Sequence, residues 1–354
     1  MAEMTRVGIL GASGYTGAEL VRLVVVHPRL ELVYVAAREK AGQKLGDVLP
    51  STAGVPGLGE RVLESFDPKD AAELAKRVDV VFTALPHGAS ASAGAALHAA
   101  GVRVVDLSAD FRLRDAATYV KWYGEHPRKE LLATAVYGLP ELHRKELANA
   151  RLIAAPGCYP TSSILPLSPL LAEQLVEASG IVIDSKSGVS GAGRSPTASS
   201  HFPETGEGIR AYKVAGTHRH VPEIEQELSR AAGLEIRVTF TPHLVPMSRG
   251  ILTVAYARAK DGTTAERCRE AARICHAGGL VSVLDEPRLP DTLWVRGSAR
   301  AHVAYALDDR TRTVVAFCAI DNLARGASAQ AIQALNVASG WPDALGLPEV
   351  GMFP

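Results

Sequence analysis

One cysteine stands in the stretch Ala155-Pro156-Gly157-Cys158-Tyr159-Pro160-Thr161, between the apolar runs Arg151–Ala154 and Ser162–Gln174. The first run reads as a strand and the second as a helix, with a kink expected at Pro166 and Pro169. Cys158 therefore falls on a strand-to-helix turn. The positive end of a helix dipole there favours the thiolate, the form that attacks. Gly157 lets the backbone turn tightly beside the sulfur, and Pro160 suits a first helical turn, where its missing N–H has no intrahelical partner anyway. A lone cysteine is more often a buried structural thiol; the density of turn signals around this one argues for a nucleophile. A thiol nucleophile needs a base. Thr217-His218-Arg219-His220-Val221-Pro222-Glu223 supplies two histidines, either of which can take the thiol proton and later return one. At least one of them is expected to be structural. Their spacing does not rank them, because positions i and i+2 point oppositely in a strand but not in an irregular loop.

The rest of the chain must position these groups. A length of 354 residues suggests about two domains, and 47% hydrophobic residues can fill sizeable cores. Lys plus Arg equals Asp plus Glu at 38 each, so no net field favours nucleic acid or an anionic membrane. The cysteines, 158, 268, 275 and 318, show neither metal-ligand pairing nor a disulfide framework. Cys268 and Cys275 read as core thiols on a helix, and the usage fits a reducing, cytosolic compartment. Met1 to Thr5 leads into a strand without an apolar signal core. No apolar run approaches the ~20 residues of a membrane span.

Arg6–Leu10 reads as a buried parallel strand. Gly11-Ala12-Ser13-Gly14-Tyr15-Thr16-Gly17 follows, then a helix from Ala18 to Val26 and a second strand over Leu30–Ala36. Strand, glycine loop, helix and strand form a βαβ unit. In that context a G-x-x-G-x-x-G loop reads as a dinucleotide site, with the pyrophosphate on the helix N-terminus. The second strand ends in Ala36-Ala37-Arg38-Glu39-Lys40 rather than in an acid for the ribose 2′-hydroxyl. Arg38 and Lys40 can pair with a 2′-phosphate, which predicts NADP(H) over NAD(H); the alternative is that both are solvated loop charges. The alternation continues through strands Val78–Ala84 and Val102–Asp106. Pro86 and His87 lie at the carboxyl edge where such sheets bind ligands, though a loop-capping role suits His87 equally. Arg112 follows a strand end, where a guanidinium can grip phosphate or carboxylate.

The pattern changes near residue 155. Gly180–Asp184 is a strand. Lys186–Arg194 is a Gly/Ser-rich loop, a plausible phosphate or nicotinamide cradle or else a mobile surface loop. Strands then recur over 234–241, 251–259, 281–284, 301–307 and 313–320, with one helix at 264–276, which reads as a mixed or antiparallel sheet. A last helix, 327–338, returns toward the nucleotide domain. The expected domains are 1–155, joined by 325–354, and 156–324. Cysteine, histidines and a nicotinamide site together suggest acyl-phosphate chemistry: thiolate plus acyl phosphate gives a thioester, which a hydride reduces to an aldehyde.

GASGYTGAEL at 11–20, ALPHG at 84–88, VDLSADFR at 105–112, YGLPE at 137–141, PGCYPT at 156–161, SGVSGAGR at 187–194, HRHVPEI at 218–224, HLVPMSRGI at 243–251 and Asp321-Asn322-Leu323 resemble the N-acetyl-γ-glutamyl-phosphate reductases of the aspartate-semialdehyde dehydrogenase-like superfamily. The resemblance covers nearly the whole chain. It implies an α/β fold, a Rossmann-like NADP-binding domain plus an α+β catalytic and dimerisation domain with a mixed sheet. It implies Cys158 as the nucleophile that releases phosphate, and His220, with His218 second, as the acid/base. Arg112 matches a phosphate-binding arginine, and Arg219 and Arg249 are candidates for the substrate α-carboxylate. Gly11, Ser13, Gly14, Tyr15, Thr16 and Gly17 match the cofactor loop, with Arg38 and Pro86 beside it. Ser187, Gly188 and Asn322 match the nicotinamide side. It further implies a small-molecule acyl-phosphate substrate, a cytoplasmic homodimer or homotetramer, and no metal. The alternatives are a related reductase acting on aspartyl phosphate or on carrier-protein-bound aminoadipyl phosphate; a branch of the second kind departs from PGCYPT, which this chain keeps. A non-catalytic NADPH sensor and a non-phosphorylating aldehyde dehydrogenase are more distant alternatives.

Overall fold

A computed structural model describes residues 4–197 and 201–353; Met1–Glu3, at the start of the N-terminal stretch read above, lie outside them. The chain divides into two compact units, Met1–Pro156 with Ser328–Leu347, and Gly157–Ala327 with Pro348–Pro354.

The first unit is built on six parallel strands: β1 (Thr5–Leu10), β2 (Leu30–Ala36), β3 (Val80–Thr83), β4 (Arg103–Asp106), β5 (Val136–Tyr137) and β6 (Leu152–Ala154). Their order is β2-β1-β3-β4-β6-β5. The chain leaves β1 toward β2 on one side and β3 on the other. The glycine loop after β1 thus sits at the topological switch point, where such sheets take ligands. Apolar side chains such as Val7, Ile9, Val81 and Phe82 are buried, as continuous hydrophobic strands of a doubly covered sheet must be. The helix Ala329–Ala338 is buried along its whole length. Its polar residues are spent internally: Gln330 Nε2 donates to Gly138 O at 2.8 Å, and Asn336 Oδ1 meets His27 Nε2 at 3.1 Å.

The second unit carries seven strands: β7 (Ile181–Gly188), β8 (Arg210–Ala211), β9 (Val238–Val245), β10 (Ile251–Arg258), β11 (Val281–Val283), β12 (Ala301–Asp308) and β13 (Thr313–Ile320). Their order is β11-β12-β13-β10-β7-β9-β8, with β7–β9 and β11–β12 parallel and the other pairs antiparallel. The C-terminal residues beyond Leu347 belong to this unit rather than to the first, because Pro348 O accepts the Ala299 amide at 2.7 Å and Met352 N donates to Arg296 O at 2.8 Å. Among the described residues no helix is long and apolar enough to cross a membrane.

Three local expectations change. The cysteine helix begins at Cys158 itself and runs unbroken to Ala172 through Pro166 and Pro169. Pro169 has no N–H to give Leu165 O, and the buried His276 supplies the missing donor through Nε2 at 2.9 Å. Strand β7 continues to Gly188 where a loop was expected. Its serines are satisfied inside the sheet, Ser185 Oγ meeting Thr253 Oγ1 at 2.8 Å and Thr253 in turn meeting Ser162 at 2.7 Å. Strand β9 starts at Val238 rather than Leu234, because Gly233 ends the preceding helix in a left-handed conformation and Ser229 Oγ captures the Ile236 amide at 2.8 Å.

Candidate active site

The glycine loop is shaped by close backbone approaches. Gly11 has φ +88°, and a Cβ on it would stand 2.3 Å from Ala84 O; a Cβ on Gly17 would stand 2.2 Å from Gly11 O. Only glycine fits either position. Gly14 is different. It is the N-cap of the helix Tyr15–Val24 with ordinary extended dihedrals, and among the described residues no side-chain cap bond is made at that helix end. A Cβ there would meet nothing closer than Gly11 O at 3.7 Å. An open, uncapped helix N-terminus at the switch point is what a pyrophosphate requires, so these residues fit a dinucleotide. Ser13 lies in the turn before this helix and Thr16 in its first turn, and Tyr15 is exposed. Arg38 and Lys40 occupy an exposed 3₁₀ turn directly after β2. Among the described residues neither side chain makes a hydrogen bond or ion pair, whereas the acid beyond them, Glu64, is taken by Arg77 at 2.7 Å.

Around β4 the sequence Asp106-Leu107-Ser108-Ala109-Asp110-Phe111-Arg112 builds a buried polar cluster. Asp106 accepts from Thr83 and Ser108 at 2.6 Å, and from Ser90. Asp110 accepts the Gly88 and Ala91 amides at 2.8 Å and the Tyr119 hydroxyl at 2.7 Å, holding the start of the next helix. Pro86 is exposed in this loop and accepts the Ser90 amide through its carbonyl at 3.0 Å. His87 behaves as a loop cap, its Nδ1 accepting the Ala109 amide at 3.2 Å. Arg112 is buried; Nε donates to Ala155 O and Nη2 to Leu107 O, both at 2.8 Å. Two of its donors thus staple the ends of β4 and β6 together.

Cys158 is the first residue of its helix, with Gly157 as N-cap. The Gly157 amide donates to Oε1 of the buried Glu223 at 2.8 Å. Glu223 lies in the first turn of the helix Val221–Ala232, and His220 is the N-cap of that same helix. The bond therefore couples the helix start that carries the thiol to the helix start that carries the histidine. The two histidines prove unequal. His218 is buried in an aromatic box of Tyr159, Tyr212 and Phe240, with ring centroids 5.3–5.5 Å away. Its Nδ1 accepts the His220 amide at 3.1 Å. Burial first, then Lys213 and Arg219, pushes it down to about 4, so it stays neutral near pH 7. His220 is half-buried, its ring 4.9 Å from that of His218. Tyr212 donates to the Tyr159 hydroxyl at 3.0 Å, and Tyr159 to His243 O at 3.2 Å. Burial holds Tyr212 up at about 12 and Tyr159 higher still; both remain phenols. Cys268 and Cys318 are buried, with thiols pushed up to about 11 and about 12 by desolvation. Cys275 is only half-buried, not a core thiol.

The remaining expected residues converge on the end of β13. Asn322 Oδ1 accepts the Gly250 amide at 2.7 Å and its Nδ2 donates to Ser190 Oγ at 2.9 Å. Both ends of its amide thus tie protein loops together. Gly188 is packed so that a Cβ would lie 2.9 Å from Met247 O and Arg249 N, and Ser187 is buried, donating to Gly188 O at 3.0 Å. Arg249 forks onto the fully buried Asp321, Nε to Oδ2 at 2.9 Å and Nη2 to Oδ1 at 3.1 Å. Its geometry therefore serves an internal carboxylate. Arg219 is exposed. Glu223, Tyr159, Tyr212 and Asp321 escaped assignment from sequence. Glu223 and Asp321 stood inside quoted motifs but had no visible partner, and Tyr212 carries no periodic or spacing signal at all.

Residues 6–150 match the family model for the semialdehyde dehydrogenase NAD binding domain, and residues 158–322 that for the semialdehyde dehydrogenase dimerisation domain. The chain is 47% identical over 352 residues to an N-acetyl-gamma-glutamyl-phosphate reductase of Geotalea daltonii, covering 99% of this chain and 100% of the relative. It is 50% identical over 351 residues to that of Syntrophobacter fumaroxidans, at 99% and 100% coverage. Among solved structures, aspartate semialdehyde dehydrogenase II of Vibrio cholerae has the same fold, with TM-score 0.71 at 16% identity, covering 96% of this chain and 99% of that one. The aspartate semialdehyde dehydrogenase of Candida albicans, solved with NADP, gives TM-score 0.67 at 16% identity, covering 97% and 100%. With a nucleotide loop, a helix-start cysteine and relatives aligned end to end, this chain belongs to the N-acetyl-γ-glutamyl-phosphate reductase family of semialdehyde dehydrogenase-type oxidoreductases.

Proposed function

We propose that this chain reduces N-acetyl-L-glutamyl 5-phosphate to N-acetyl-L-glutamate 5-semialdehyde and phosphate, with NADPH as reductant, as a cytoplasmic step of arginine biosynthesis. The observation that carries the reading is the Gly157–Glu223 bond, which joins the helix start bearing Cys158 to the one bearing His220. His220 takes the thiol proton. The Cys158 sulfur attacks the acyl carbon, the bond to the phosphate oxygen breaks, and phosphate leaves from a thioester on Cys158. The nicotinamide, when bound, supplies the hydride that takes the thioester carbon to the aldehyde level. The carbon–sulfur bond then breaks, and His220 returns its proton to the sulfur. His218, neutral and boxed in, orients this segment rather than moving protons.

Gly11, Ser13, Gly14, Tyr15, Thr16 and Gly17 would hold the pyrophosphate, Arg38 the 2′-phosphate, and Pro86, Ser187, Gly188 and Asn322 would border the cofactor. Arg112 is assigned to the substrate phosphate by the motif it matches; its bonds to Ala155 O and Leu107 O fix the guanidinium at the ends of β4 and β6. Arg219 is assigned to the α-carboxylate in preference to Arg249, whose fork Asp321 already fills. The homodimer is assigned to the open face of the second sheet, where Val182 and the paired Tyr256 remain 38% and 41% exposed.

The test is phosphate-dependent reduction of NADP⁺ by N-acetylglutamate semialdehyde, for wild type and Cys158→Ala. Activity that needs both phosphate and Cys158 supports the reading. Phosphate-dependent activity confined to aspartate semialdehyde or a carrier-bound aminoadipate semialdehyde would replace the substrate. Unimpaired turnover in Cys158→Ala would overturn the mechanism.

A further inference from the structure

Strand β13 does not pass directly into the returning helix. Ala324–Ser328 form a π-helical turn, a rare conformation that concentrates at functional sites. The wide turn is closed by an i→i−5 bond, Gly326 N to Asp321 O at 2.8 Å. The Asp321 carboxylate caps the same turn, accepting Leu323 N at 2.8 Å and Ala324 N at 3.0 Å through Oδ1. Its Oδ2 accepts Gly297 N at 2.6 Å, and Arg249 forks onto both oxygens. The turn is thus anchored by an ion pair whose carboxylate is fully buried and whose guanidinium is partly exposed.

That anchored turn presses on the cysteine. A Cβ built on Gly326 would stand 2.8 Å from the Cys158 Cβ, 3.2 Å from its Cα and 3.2 Å from Ile320 Cδ1. The two cysteine atoms lie at the root of the side chain, so no rotamer of Cys158 relieves the clash. Glycine at 326 therefore brings bare backbone against one flank of the Cys158 Cβ and limits the staggered positions open to its sulfur.

We propose that Gly326 is a positioning residue for Cys158: the π turn, held by Asp321 and Arg249, is a wall that sets the direction of the thiol. Arg249 acts as part of this wall, through Asp321. The inference rests on Cys158 being the nucleophile, so its test uses a reaction that needs neither substrate nor turnover.

The test is alkylation of Cys158 by iodoacetamide across pH in wild type and Gly326→Ala, read by mass spectrometry of the separate cysteine peptides. Half-buried Cys275 of the same molecules is the internal reference. In Gly326→Ala the Cys158 pH profile should be displaced and its rate should fall at least about fivefold, the scale on which a helix terminus acts on a thiolate. The Cys275 profile and NADPH affinity should not move. A folded Gly326→Ala protein whose Cys158 profile superimposes on wild type overturns the proposal. Arg249→Lys keeps the charge but loses the fork, and serves if Gly326→Ala does not fold. It should displace the Cys158 profile in the same direction and less far, and a profile identical to wild type there is equally fatal. Turnover of Cys158→Ala judges the nucleophile separately.

Discussion

The Gly157 amide donates to Oε1 of Glu223 at 2.8 Å, and both groups are buried. A carboxylate in the first turn of one helix thereby fixes the N-cap of another. Glu223→Ala leaves a buried N–H without an acceptor, a loss of about 1–3 kcal/mol. It should also lower kcat by about 10²-fold by loosening the thiol–histidine geometry. Glu223→Gln keeps a carbonyl oxygen for the bond and should recover most of the stability in urea unfolding. Equal destabilisation by Gln and Ala would show that the bond is not what holds the turn.

Two glycines of one loop should behave oppositely. Gly17→Ala forces a Cβ to 2.2 Å from Gly11 O, and should cost more than about 2 kcal/mol or prevent folding. Gly14→Ala meets nothing closer than 3.7 Å, so stability should change by less than about 0.5 kcal/mol. The added methyl would nevertheless stand at the mouth of the uncapped helix, lowering cofactor affinity about tenfold, the worth of one charged hydrogen bond. Thermal unfolding and cofactor titration of both variants separate the two effects.

Choice of cofactor should rest on Arg38. Arg38→Ala should weaken NADPH binding by about 10- to 100-fold and leave NADH within about twofold. A parallel loss for both cofactors would place Arg38 outside the 2′-phosphate site.

His218 makes stability depend on pH. Burial, with Lys213 and Arg219 adding to it, lowers the ring from 6.5 to about 4. Between those values the unfolded chain binds the proton more readily than the fold does. The contribution is complete above the unfolded value and is lost as pH falls through the folded one, up to about 3 kcal/mol over the window. Urea midpoints measured near pH 7 and near pH 5 should show that decline in wild type and a shallower one in His218→Asn. Parallel declines would assign the pH dependence to other groups.

What the sequence determined by itself was local and periodic. Continuous apolar runs mark β1 and β3 as buried parallel strands, and the glycine spacing marks a turn into a helix. Gly157-Cys158 between an apolar strand and an apolar helix places a thiol at a helix start. These depend on near neighbours, whose sterics and hydrogen bonds act whatever the rest of the chain does. Tertiary structure decided which polar groups meet. Lys186–Arg194 looked like a loop because Gly and Ser are poor strand formers, yet β7 extends to Gly188 once Thr253 satisfies Ser185 and β9 and β10 flank it on either side. His218 and His220 could not be ranked from their spacing. Only the Tyr159–Tyr212–Phe240 box, assembled from three distant segments, buries one and lowers its proton affinity. Arg249 looked like a ligand for a substrate carboxylate, because an arginine carries its charge regardless of its partner. That its partner is Asp321, 72 residues away, is a consequence of β10 pairing with β13. Charge and hydrogen-bonding capacity are written in a side chain, but the partner that uses them is supplied by the fold.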